Sequence, residues 1–88
     1  GGVQFQTFLL KLEPGCRREP CTTDGDEFLY GLRGTVTMTI GDEEIAIHAG
    51  DALYFDGRLP HAPGNRGRAI AEMLVAYLIP SDASARRT

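Results

Sequence analysis

The sequence predicts an all-β fold, a small antiparallel barrel of about seven or eight short strands. Three observations carry this. Apolar and polar residues alternate in short runs, with the period of two that a strand imposes. The 11 glycines and 5 prolines fall between those runs rather than in one block, which favours many tight turns. No long stretch carries a helical pattern with caps.

Taken in order, Val3–Leu12 is a strand closed by Glu13-Pro14-Gly15, and residues 27–32 form a second closed by Arg33-Gly34. Thr35-Val36-Thr37-Met38-Thr39-Ile40 alternates without a break, so Val36, Met38 and Ile40 share one face. Gly41-Asp42 suits a tight hairpin, and residues 44–48 alternate again as its antiparallel partner. A turn at Ala49-Gly50-Asp51 leads to a short strand at 52–55, ended by Asp56-Gly57. The last strand is expected within 68–79. Glu72 to Leu78 has the composition of a short helix, but Val75, Tyr77 and Ile79 favour a strand. Pro80 stops it, which leaves one domain over residues 1–80 and a polar tail over 81–88.

Composition narrows the function. A chain of 88 residues lies near the lower limit for a self-sufficient core. The net charge of −3 argues against a nucleic-acid footprint, because phosphate binding needs a basic face. No apolar run approaches the roughly 18 residues of a membrane span, and no export signal is visible, so a cytoplasmic protein is expected. Cys16 and Cys21 are then better read as thiols than as a disulfide. Gly1-Gly2 looks like a cut point, with an upstream region expected.

Two glycine-bounded segments carry the chemistry. Gly15 is followed by Cys21, Thr23, Glu27 and Gly34, and Gly50 by Asp56, Arg58, His61 and Asn65. These spacings resemble the paired motifs of the cupin family, small β-barrels built like half a jelly roll. The first family motif has histidines where this chain has Cys21 and Thr23, while Gly15, Glu27 and Gly34 match. In the second, Gly50, His61 and Asn65 match, whereas Asp56 and Arg58 depart. The wording from Leu53 to His61 looks like the cupin domains that follow a helix-turn-helix in bacterial transcriptional regulators.

The resemblance implies that positions 21 and 23, one residue apart on a strand, both look into the barrel and converge with Glu27 and His61. In intact cupins three imidazoles and one carboxylate hold iron, manganese, nickel or zinc. The metal set left here is Cys21, Glu27 and His61, with a thiolate favouring zinc and partial occupancy expected; no cofactor is required. The bland alternatives are a core cysteine at Cys21 and a buried carboxylate at Glu27, satisfied by Thr23 or His61. Cys21, Thr23, Glu27, Met38, Tyr54 and His61 form the expected ligand pocket; Met38, Tyr54, Phe28 and Phe55 can each line it, though core filling is the favoured role for any one of them. His48 is expected to face solvent and Asn65 to shape a turn.

Three functions follow. A small-molecule-binding or sensor domain, the regulatory part of a bacterial transcriptional regulator, tolerates the lost histidines best. A metal-dependent enzyme of dioxygenase or isomerase type would use Glu27 and His61 as ligands or as an acid–base pair. A structural dimerisation module needs neither. A homodimer is expected in every case, and contact with nucleic acid or membrane in none.

Overall fold

The computed structural model describes residues 3–80; the Gly1-Gly2 pair and the tail at 81–88 lie outside them. Seven strands follow one another: β1 (Val3–Leu12), β2 (Asp26–Arg33), β3 (Thr35–Ile40), β4 (Glu43–His48), β5 (Ala52–Asp56), β6 (His61–Gly64) and β7 (Ala71–Pro80). The described residues contain no helix. Two antiparallel sheets result, ordered β1-β7-β2-β5 and β4-β3-β6.

Alternation decides which side chains meet between the sheets. Val36, Met38 and Ile40 are buried on β3, and Ile47 joins them from β4 in the predicted hairpin. From the larger sheet Leu12, Leu29, Ala71, Met73 and Val75 point the same way and complete the core. The helical alternative at 72–78 fails because β7 is the central partner of β1 and β2, where every second residue must face inward.

The last strand begins at Ala71, three residues after Arg68, the start that the sequence predicts. Asn65 explains the delay. Its buried side-chain amide donates to the carbonyls of Leu12 and Ala69, at 3.0 and 2.8 Å, and accepts from the Gly67 N–H at 2.9 Å. These bonds hold 65–69 as a closed turn that cannot join the ladder. Strand β6 begins at His61, where the family resemblance puts the start of a strand opposite that of Glu27, although four residues including Pro63 make a weak local strand signal.

Gly31 marks the place where the sheets converge. Its N–H donates to Asp51 and its carbonyl accepts from Gly50, both at 2.8 Å. A Cβ there would overlap the His48 carbonyl, so only glycine permits this approach. The register of β2 against β7 shifts between Gly31 and Arg33 at this same point.

Candidate functional site

Between the sheets, beside the solid core, lies a cavity of about 410 Å³. Its walls are mainly apolar, with Phe8 and Leu10 from β1, Met38 from β3, and Val75 and Tyr77 from β7. Cys21, Thr23, Glu27 and His61 supply polar groups, and Arg18 and Glu19 line it as well.

Glu27, the second residue of β2, lies on its inward parity, paired with Phe55 on one side and Tyr77 on the other. His61 starts β6 in the facing sheet, opposite Ile40. Each side chain is only 4% exposed, and His61 Nε2 stands 3.0 Å from Glu27 Oε2. Thr23 donates its hydroxyl to the same oxygen at 2.8 Å. The Phe55 ring meets the imidazole edge to face, with centroids 5.0 Å apart.

The hydrogen bonds specify where a proton must be. His61 Nδ1 lies 2.7 Å from the Leu59 carbonyl, which can only accept, so Nδ1 carries hydrogen. Nε2 then faces a carboxylate oxygen across 3.0 Å. Two acceptors at that distance in a buried site need a proton or a cation between them. With a proton in that place the two side chains share it, as carboxylate with imidazolium or as carboxylic acid with neutral imidazole. Such a pair can accept or deliver a proton at Nε2 or Oε2.

Cys21 reaches the pair by a route the spacing did not indicate. Positions 21 and 23 are not on a regular strand. Instead Cys21 forms an isolated bridge with His61, each N–H donating to the other's carbonyl at 2.9 Å. The Arg18 N–H likewise donates to Pro63 at 3.0 Å, and the Asn65 N–H to Cys16 at 2.8 Å. Residues 16–21 thus run as a strap along β6. The bridge places Cys21 Sγ 3.9 Å from His61 Nε2, on a residue that is exposed overall. Thr23 sits in the following loop, its N–H donating to Gly57 at 2.8 Å. Both cysteines are free.

Tyr54 is a correction. It does not line the cavity: it is 63% exposed on the outer face of the larger sheet, and its hydroxyl donates to Asp26 at 2.7 Å. That hydrogen bond, with some desolvation, raises the phenol above its ordinary range. Phe28, its partner in register, also points outward. The parity of Leu53 and Phe55, both packed against the core, carries the signal that Tyr54 faces away. His48 is exposed, as expected, and contacts Asp51. Phe8, Leu10, Val75 and Tyr77 are pocket residues the motif spacing did not reveal.

The donor set does not fit the metal centre that the motif implies. Thr23 gives its only hydroxyl proton to Glu27, and Glu27 and His61 are turned toward each other. Among the described residues no group of three or more His, Cys, Asp and Glu side chains has a spacing that could hold an ion. The Cys21–Glu27–His61 set of the sequence reading becomes a proton-sharing pair with a thiol beside it.

Comparison with known proteins agrees with this architecture. The profile of the cupin domain family matches residues 8–77. No curated protein matches the chain. Among solved structures, the chain is similar to a protein from Thermus thermophilus, with 30% identity, a TM-score of 0.72, and coverage of 78% of this chain and 67% of that one. It is similar to the Cupin_2 domain of an XRE family transcriptional regulator from Enterobacter cloacae, at 23% identity and TM-score 0.79, covering 83% and 79%. It is similar also to a sugar phosphate isomerase of the cupin superfamily from Silicibacter pomeroyi, at 29% identity and TM-score 0.71, covering 84% of this chain and 50% of that one.

Proposed function

The chain belongs to the cupin family, and on that premise we propose that it is a small-molecule-binding sensor domain whose pocket is the cavity closed by Glu27 and His61. The observation that carries this reading is the contrast between apolar walls and one buried polar pair. Such a pocket takes a compact, largely apolar ligand and orients it through a single hydrogen-bonding group. A ligand hydroxyl or carbonyl can exchange hydrogen bonds with the pair without needing a metal.

The finer reading is the regulatory part of a bacterial transcriptional regulator in the cytoplasm. The likeness to the Enterobacter regulator's cupin domain supports it, and free thiols suit a reducing compartment. The acidic chain is not itself the DNA-binding part. A second copy of the chain is the expected partner, seated on the apolar outer face of the larger sheet.

An isomerase-type enzyme is the second reading. The shared proton and the likeness to the sugar phosphate isomerase favour it, whereas the apolar walls suit a sugar phosphate poorly.

Two measurements test the proposal. Protein purified without chelator should contain less than one metal ion per chain; a stoichiometric ion lost on His61→Ala would overturn the metal-free site. Metal-free protein screened by thermal shift should be stabilised by a compact apolar metabolite, by about 2.7 kcal/mol at a hundredfold excess over Kd. Met38→Trp, which fills the cavity, should remove that gain. Stabilisation by no member of a broad panel would leave the dimerisation module as the better reading.

A further inference from the structure

Two opposite charges stand at the mouth of a cavity whose walls are otherwise mainly apolar. Arg18 and Glu19 both line it while both remain exposed, and neither forms an ion pair among the described residues. Arg33, Arg58 and Arg66, by contrast, each hold a carboxylate. We infer that the cavity takes a free α-amino acid with a mainly apolar side chain, its carboxylate on Arg18 and its ammonium on Glu19. This rests on the reading of the cavity as the ligand site and names the chemical class that fills it.

The fold fixes where the two charges stand. The Arg18 N–H donates to the Pro63 carbonyl at 3.0 Å, and Cys21 exchanges backbone bonds with His61 at the other end of the same strap. Pro20 restricts Glu19, the residue before it, to extended backbone. Successive side chains of an extended segment leave on opposite sides. Arg17 accordingly lines a separate groove with Thr37 and Gly64, while Arg18 goes to the cavity.

The ligand class follows from the charges taken together. A guanidinium grips a carboxylate through two parallel N–H donors, and a carboxylate accepts from an ammonium. A simple acid would satisfy Arg18 but bring its charge beside Glu19. A simple amine would meet the reverse, a cation held beside Arg18. A zwitterion satisfies both, and discrimination against the two singly charged forms is built in by repulsion. The apolar side chain then enters a cavity of about 410 Å³ and lies against Phe8, Leu10, Val75 and Tyr77. No bond is made or broken.

The test is isothermal titration calorimetry of the whole chain with L-leucine, L-methionine, L-phenylalanine and L-tyrosine. Each is compared with the amine that lacks its carboxylate and the acid that lacks its ammonium. At least one amino acid should bind about tenfold or more tightly than both of its truncated forms. Arg18→Gln and Glu19→Gln should each weaken that binding about fivefold, and Glu19→Gln should tighten binding of the deaminated acid. Both side chains are exposed, so both variants should fold. An acid or amine that binds as well as its parent amino acid overturns the inference, and so does a Kd that neither variant changes. The neutral probe 4-ethylphenol reports on the cavity separately. If it binds while no amino acid is preferred, only the zwitterion falls; if nothing binds, the reading of the cavity as a ligand site falls as well.

Discussion

Asn65 shows how one side chain can hold together elements far apart in the chain. Nearly fully buried at 2% exposure, it satisfies Leu12, Ala69 and Gly67 with its amide, while its backbone closes on Gly15 and Cys16. Asn65→Ala leaves two carbonyls and one N–H without that partner and should cost about 2–4 kcal/mol in urea denaturation. Gly57 has a comparable role at the site. A Cβ there would run into Thr23 Oγ1 and the Gly25 carbonyl, so Gly57→Ala should displace Thr23 and destabilise by about 1–3 kcal/mol, with weakened ligand stabilisation in the same thermal-shift assay. The motif spacing already singled out Asn65, Glu27 and His61. It could not show Tyr54 turned outward, because that follows from strand parity in β5 rather than from distance along the motif.

Among the strands, β6 has the least sequence signal and much of the positional burden. Four residues with an internal proline gain a place in the sheet because β3 pairs on one side and the 16–21 strap on the other. That double pairing brings Cys21 to His61. It was illegible because pairing between segments 40 residues apart leaves no local pattern. The β4–β5 turn offers a test at this scale. Asp51 accepts from the His48 backbone N–H at 2.9 Å and contacts its ring at 3.1 Å, and these bonds, the backbone one foremost, hold its carboxyl below the usual range. A carboxyl depressed by folding stabilises above its unfolded pKa of about 3.9, and that stabilisation fades as pH falls through the lower folded value. The Tm advantage of the wild type over Asp51→Ala should therefore be full at neutral pH and shrink below about pH 4. An advantage independent of pH would show that the turn gains nothing from the charge.

Across the molecule as a unit, the outer face of the larger sheet is the surface that a partner would cover. Leu9, Leu74 and Tyr30 align across β1, β7 and β2, and Phe28 and Tyr54 align beside them, all exposed. A second copy presenting the same face would bury these rows in a two-fold contact. Sedimentation should show a dimer that Tyr30→Lys with Leu74→Lys converts to monomer, and the wild-type Tm should rise with protein concentration. A monomer at all concentrations would rule this partner out. The all-β class, the β3–β4 hairpin and the inward parity of its apolar residues were already written in the chain, because a period of two is a local property. Likeness to the family's motifs pointed to Glu27 and His61. That these two face each other across 3.0 Å, that Cys21 reaches them through a bridge to β6 rather than from a regular strand, and that the cavity is walled by β1 and β7 emerged with the three-dimensional arrangement alone. Those outcomes depend on hydrogen bonds and packing between segments that meet only once both sheets have closed.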